Sequence, residues 1–218
     1  MHLSRRLRAI ADLIPENKVV VDIGCDHALL DIYLTQNQKN KCIACDVRPS
    51  VLEIARKNIA SAGLSQKISL VQSNGMEKVE VPEYSVAVIA GMGTSTILSI
   101  LDNPKINLFS YFVIQTNNEW DILRKQMSKR GFRLVDEQIV FDKNKYYVLM
   151  KWVRGRSFYN KKQCFLGPIL MNKKEAIPYY QYLQDQYQTI YSNIPLRHII
   201  KRYQMIKKIS WIKKELKK

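Results

Sequence analysis

The stretch Val20-Val21-Asp22-Ile23-Gly24-Cys25-Asp26-His27-Ala28-Leu29-Leu30 decides the fold. Its first half, extended upstream as "KVVVDIG", is a short apolar run that stops at a glycine, as a buried strand does. Its second half opens "ALLDIYLTQ", where apolar residues return at helical spacing. Between them lies a loop with a single glycine, followed by Cys25-Asp26-His27. A strand that runs through such a loop into a helix is the opening unit of an open α/β sheet.

Outward from this unit the alternation continues. Upstream, Leu3, Leu7, Ile10, Ala11 and Ile14 have helical spacing, with Ser4 as a cap and Pro15 as a stop. Downstream, "KCIACDV", "KISLVQS", "VAVIAGMG" and "FVIQTN" read as strands. Helices are expected from Pro49 to Asn58, from Thr94 to Leu101 and from Glu119 to Arg130. This rhythm predicts a parallel sheet with helices on both faces. "FRLVDEQIVF" and "KYYVLMKWV" are separated only by Asp142-Lys143-Asn144. So short a connection demands a hairpin, hence an antiparallel last strand. The expected class is α/β, with a Rossmann-like, mostly parallel sheet ended by an antiparallel hairpin strand, over residues 1–153.

Residues 154–218 form the second expected unit. "RGRSFYNKKQ" reads as a basic linker and "FLGPIL" as a turn. Beyond Lys173, apolar residues recur at Tyr180, Leu183, Tyr187, Ile190 and Ile194. After Pro195 they recur at Leu196, Ile199, Tyr203, Ile206, Ile209, Ile212 and Leu216. Two amphipathic helices joined near Pro195 are predicted, a small coiled-coil-like hairpin with Pro178 in its first turn.

The charge is uneven. Of a net +16, residues 151–218 carry 16 Lys/Arg against Glu175, Asp185 and Glu215, while residues 1–150 carry 19 against 16. Such a field points to a polyanion or an anionic membrane surface, and the near absence of acids favours the polyanion. Hydrophobic content of 46% supplies a sizeable core and argues against disorder. Cys42 and Cys45 make a C-x-x-C, but no second pair stands at zinc spacing and both lie in an apolar strand. Buried structural thiols are expected, and no metal. The opening "MHLSRRLRAIADLI" lacks the long apolar run of a signal peptide, and no stretch is long enough to span a membrane. A cytoplasmic monomer is the expected state.

The strand ends carry the chemistry. In an open α/β sheet, ligands bind beyond the carboxyl ends of the strands. Strand one ends at Asp22-Ile23-Gly24, and strand two ends at Asp46-Val47, with Asp46 24 residues past Asp22. An acid there accepts hydrogen bonds from both ribose hydroxyls of an adenosine, in NAD or in S-adenosylmethionine. A dinucleotide needs G-x-G-x-x-G, so that backbone can approach the pyrophosphate. Here Asp26 would face the phosphates and repel them. S-adenosylmethionine has a sulfonium and an ammonium instead, so acidic residues help. Asn74-Gly75 after strand three suits an adenine edge, or is a plain turn. Gly91, Met92 and Gly93 after strand four let a ligand approach the backbone, or make a tight turn. Gln115 and Asn117 after strand five suit a base edge, or cap the next helix.

Taken together, "LSRRLRAIADLI", "VDIGCDHALL", "ACDV", "SNGME", "IAGMGT", "VIQTN" and "FLGPIL" resemble bacterial tRNA (adenine-22-N1)-methyltransferases, in order and over nearly the whole chain. Departures stand at Thr94, where the family has a further glycine, and at Thr116, where it has proline. The resemblance implies a class I, S-adenosylmethionine-dependent sheet domain and a C-terminal coiled-coil domain. It implies methyl transfer to N1 of an adenine in tRNA. The product adenine is cationic, so a nearby carboxylate stabilises the developing charge. Asp26 is the first candidate for this catalytic role and His27 the second, while Asp26 also suits the donor's ammonium. Arg6 is a candidate partner for the donor's carboxylate. Lys201, Arg202, Lys207 and Lys208 are candidate contacts to the tRNA backbone.

Rival readings remain. A methyltransferase of the same fold acting on a small molecule or protein leaves the basic tail idle. A non-catalytic RNA-binding protein would keep the fold without binding the donor. NAD oxidoreduction lacks its second and third glycines.

Overall fold

A computed structural model describes residues 3–218. Seven strands form one sheet: β1 (Val19–Ile23), β2 (Lys41–Asp46), β3 (Ile68–Gln72), β4 (Ser85–Met92), β5 (Phe109–Thr116), β6 (Phe132–Asp142) and β7 (Lys145–Arg154), in the order β3-β2-β1-β4-β5-β7-β6. Strands β1 to β5 pair in parallel, while β7 runs antiparallel to both β5 and β6. The β6–β7 turn is tighter than the sequence suggested, because Asp142 pairs with Lys145 inside the ladder. The two remaining residues, Lys143 and Asn144, both take positive φ, 48° and 60°. That geometry matches the right-handed twist of the strands it joins.

Alternate strand residues feed two helical layers. Val20, Val86, Val88 and Val113 pack beneath α1 (Arg5–Asp12), α2 (Leu29–Gln38) and α3 (Pro49–Ser61) through Ile10, Leu34 and Leu52. Val21, Ile89, Phe112 and Ile114 pack beneath α4 (Thr94–Leu101) and α5 (Trp120–Lys129) through Ile97, Leu123 and Met127. The central strands are thus buried on both faces, which explains their unbroken apolar runs.

The basic linker expected before "FLGPIL" is instead partly helical. α6 (Lys161–Leu166) starts with a reciprocal capping box between Asn160 and Gln163. Its Cys164, Phe165 and Leu166 are buried. Basic residues mask the helix in the sequence, since the apolar side chains begin only after Gln163. Phe165, Leu166, Leu170, Tyr179, Tyr180 and Leu183 join the same apolar cluster as the α4/α5 face of the sheet. A buried ion pair locks this junction. Arg124 Nε donates to Glu137 Oε1 at 2.6 Å, and Arg124 Nη1 donates to the Cys164 carbonyl at 2.7 Å. The second Glu137 oxygen accepts the Ile169 N–H at 3.0 Å.

Two long helices, α7 (Ile177–Ser192) and α8 (Ile199–Glu215), pack as the expected hairpin, with Pro178 in the first turn of α7. The seam is shorter than its sequence pattern. Ile209 and Ile212 are buried, but Leu196, Ile199, Tyr203 and Ile206 are 79%, 74%, 65% and 49% exposed. The facing stripe on α7 runs out first, since Ile190 is itself exposed. Among the described residues, no helix is long and apolar enough to cross a membrane.

Candidate active site

The strand order reverses between β1 and β4, so the chain leaves the sheet in opposite directions at their carboxyl ends. A cleft of about 250 Å³ opens there, lined by Arg6, Asp22, Gly24, Cys25, Asp26, His27, Asp46, Arg48, Gly91 and Met92, among others. The strand-end residues of β1, β2 and β4 are therefore gathered in one place.

The loop after β1 is wound tightly. Gly24 sits at φ 82°, and a Cβ there would collide with the Met92 methyl. The N–H groups of Gly24 and Cys25 both donate to the Cys45 carbonyl, at 2.8 and 3.0 Å. Asp26 and Ala28 also take positive φ, 52° and 56°. Helix α2 begins without a side-chain cap, so Asp26 does not serve as one. Its exposed carboxylate stands 3.7 Å from Arg48 Nη2 and 3.9 Å from His27 Nε2.

Asp46 is buried, and Arg48 holds it. The Arg48 backbone N–H and Nε donate to Asp46 Oδ1 at 3.0 and 3.1 Å, and Nη2 donates to Oδ2 at 3.2 Å. Burial opposes ionisation, but these bonds and the guanidinium charge outweigh it and hold the carboxyl below its ordinary range. Sequence reasoning missed Arg48. Its one signal was a basic residue two places after a strand-end acid.

Asp22 behaves oppositely. Burial, and then the Asp31 carboxyl from α2, push it well above its usual value, while Arg6 pulls the other way. Burial also pushes Asp31 up to about 7.

Arg6 is fixed by its surroundings. Ser4 caps α1, accepting the Leu7 N–H at 3.3 Å. The Arg6 backbone N–H donates to Asp142 Oδ2 at 3.2 Å, which ties α1 to the tip of the β6–β7 hairpin. The Arg6 side chain starts a relay. Arg6 Nη1 donates to Gln115 Oε1 at 2.8 Å, Gln115 Nε2 to Asn117 Oδ1 at 3.1 Å, and Asn117 Nδ2 to the Gly91 carbonyl at 2.7 Å. This relay forms a wall. Beyond it lies a second cleft of about 390 Å³, lined by Arg6, Gly91, Asn117, Trp120, Tyr146 and Tyr147, with others. Trp120, Tyr146 and Tyr147 were not singled out from the sequence, because the hairpin strand that carries the tyrosines reads as ordinary sheet.

Other expected residues stand elsewhere. Gly93 precedes α4 and faces Asn118, whose Oδ1 accepts the Thr94 N–H at 2.9 Å. Val47, Asn74 and Gly75 flank the ends of β2 and β3 and line neither cleft. Val47 is exposed, Asn74 Nδ2 donates to Glu77 Oε1 at 2.8 Å, and Gly75 turns at φ 55° against Ile100. Lys201, Arg202, Lys207 and Lys208 lie on α8, outside both clefts. Arg202 is occupied at the carboxyl end of α7, where Nη1 donates to the Ile194 carbonyl at 2.7 Å and the guanidinium lies 4.1 Å from the Tyr191 ring centre. Lys208 lies over the Phe165 and Tyr187 rings. All four cysteines are buried and free, and among the described residues no cluster could hold a metal ion.

The first cleft fits S-adenosylmethionine better than a dinucleotide. A carboxyl whose burial disfavours an unpaired negative charge, Asp22, lies at its floor, and Asp26 lies at its rim. Both suit a cationic ligand and repel a pyrophosphate.

Residues 3–150 match a family model described as a methyltransferase domain. The chain is 30% identical over 205 residues to the tRNA (adenine(22)-N(1))-methyltransferase of Bacillus subtilis, a match covering 89% of this chain and 86% of that one. Its structure is similar to that of M. capricolum TrmK in complex with S-adenosyl-homocysteine, with a TM-score of 0.87 and 29% identity, over 100% of this chain and 99% of that one. It is also similar to a Streptococcus pneumoniae protein in complex with S-adenosyl-L-methionine, with a TM-score of 0.89 and 27% identity, over 99% of this chain and 100% of that one. The topology, the acidic switch-point cleft and these relatives agree, and the chain belongs to the tRNA (adenine(22)-N1)-methyltransferase family.

Proposed function

We propose that this chain transfers a methyl group from S-adenosylmethionine to N1 of adenine 22 in tRNA. The observation that carries this reading is the pair of clefts meeting at the Arg6–Gln115–Asn117–Gly91 wall. One is acidic and suits a cationic donor. The other is aromatic and carries the Asn117 carboxamide, and suits a base.

Arg6, Asp22, Gly24, Asp26, Asp46, Gly91 and Met92 would hold the donor. Asp46 takes the ribose hydroxyls, with Arg48 keeping it ionised and aimed. The donor supplies an electrophilic methyl group. The nucleophile is the adenine N1 lone pair, so the protein needs no covalent nucleophile. Burial raises the Cys25 thiol and pushes Cys45 up to about 12, which keeps both protonated and inert. The protein's work is therefore to unstack the adenine, place N1 in line and exclude water. Trp120, Tyr146 and Tyr147 offer ring faces to the base, and Asn117 offers an amide to its edge. Asp26 and His27 sit on the donor side of the wall. The Asp26 carboxylate favours the positive charge that grows on the adenine as N1 is alkylated. Exposed lysines of α8 hold the phosphate backbone without reading sequence. Action on tRNA supports a cytoplasmic location.

The test is to incubate the protein with labelled methyl donor and total tRNA, then map the modified nucleoside by mass spectrometry. N1-methyladenosine at position 22 is expected. Label at another position or in another RNA would replace the reading, and no label would end it.

A further inference from the structure

Beneath the donor cleft lies a pair of acids that the reaction does not use as a pair. Strand β1 directs Val20 and Asp22 toward the α1/α2 layer, so Asp22 stands where a core residue would stand. From α2, Asp31 meets it. Asp22 is 5% exposed and Asp31 is 0% exposed. Neither oxygen of Asp31 accepts a hydrogen bond of ordinary geometry, and the Cys42 thiol and its own backbone are the donors near it. Two ionised carboxylates cannot hydrogen-bond one another, whereas a single proton between them makes each the partner of the other.

The surroundings favour that proton. Asp22 is acted on by Asp31 from α2, Asp46 from β2 and Arg6 from α1. Asp31 faces Asp22 and the Cys42 thiol of β2. The thiols of Cys25 and Cys45 lie beside the pair and are neutral. Arg6 is the basic group that acts on Asp22, and its Nη1 donates to Gln115. Two negative charges in this buried place would repel each other with little to offset them. His27 lines the same cleft from the loop after β1.

Resting on the assignment of the first cleft to S-adenosylmethionine, we propose that Asp22 and Asp31 share one proton in the free protein and release it to solvent when the cationic donor binds beside Asp22. No bond other than O–H is broken, and the incoming positive charge takes the proton's place. Asp31 touches no ligand. It acts as a positioning residue that keeps the cleft from holding an unbalanced negative charge while empty. Donor capture is thereby linked to pH. Below the titration range of the pair, affinity falls by about tenfold for each unit of pH.

Calorimetric titration of the full chain with S-adenosyl-L-methionine tests this. It is carried out near pH 6, below the α-amino titration at about 7.7–8.0, so that the ligand keeps its charge. Repeating it in buffers of different ionisation enthalpy counts protons. Release of close to one proton per donor is expected in the unmodified chain. Asp31→Asn should release none, and its affinity should be flat with pH, because the amide donates to Asp22 without titrating. Asp31→Ser is a second variant if the first folds poorly. Zero release in the unmodified chain overturns the proposal. So does equal release in the Asp31 variants, which would assign the proton elsewhere, His27 included. Absence of any donor binding would instead overturn the donor assignment itself, a distinct result.

Discussion

Gly24 is the single glycine of its loop, and its surroundings explain why one suffices. The turn there requires φ 82°, and the Met92 methyl fills the space where a Cβ would go. Gly24→Ala should lower donor affinity about tenfold and cost about 1–3 kcal/mol of stability, read by donor titration and thermal melting. Asp26 occupies the next left-handed position, which Asp tolerates better than most residues. Asp26→Asn, which keeps a side chain suited to that conformation, should cut turnover at least tenfold while the melting curve is nearly unchanged, since the carboxylate is exposed and its ion-pair contacts are long. Near-normal turnover would remove Asp26 from the chemistry. The buried acids predict a sign for stability against pH. A carboxyl raised from 3.8 to about 7 contributes stability that is fully present below 3.8 and is lost as pH rises through about 7. Asp31→Asn lacks that loss. Its stability advantage over the unmodified chain should therefore widen across this range in urea unfolding. Asp22, Gly24, Asp26 and Asp46 were legible because strand ends are local signals. The Asp22–Asp31 contact was not, because it joins a strand to a helix and nothing in their spacing reports it.

Among elements, the strands read clearly because their apolar runs are buried on both faces. The β6–β7 hairpin read clearly because so few residues separate its strands. α6 did not, since its short apolar face follows a basic run and its cap is a pair of ordinary amides. The Arg124–Glu137 pair was equally invisible, yet it joins α5, β6 and the chain after α6. Its side chains are 1% and 0% exposed, so breaking it strands a charge in the core. Arg124→Met should cost about 3–5 kcal/mol in urea unfolding, and Glu137→Gln less, because the amide keeps the shape and can still accept hydrogen bonds. Equal, small effects would show that water reaches the junction. The α7–α8 seam shows the opposite limit of pattern reading. Helical periodicity marked Leu196, Ile199 and Tyr203 as a buried stripe, but burial requires a facing helix, and α7 presents no matching buried stripe beside them.

At the scale of the whole molecule, charge and packing divide the chain differently. Most of the net positive charge lies beyond residue 150, yet Phe165, Leu166, Tyr179 and Tyr180 are buried in the apolar cluster of the sheet. Cutting the chain after Trp152 would strip that face and confound loss of binding with loss of folding. The basic surface is better tested by substitution. Lys201, Lys207, Lys213 and Lys214 are exposed on α8, Lys207 with its ammonium 5.5 Å from the Trp211 ring centre, whereas Arg202 and Lys208 are half-buried against carbonyl and ring contacts. Replacing those four lysines with alanine should leave the donor titration and the melting curve nearly unchanged. Each phosphate contact releases bound counterions, so the variant should bind tRNA with a log-affinity slope against log salt shallower by about 2–3. Affinity at low salt should fall by at least tenfold. Restoring the charge with arginine at the same positions should restore the slope, because a non-reading contact needs charge more than shape. An unchanged slope would move the phosphate contacts off α8 and leave Lys145, beside the aromatic cleft, as the next cation to test.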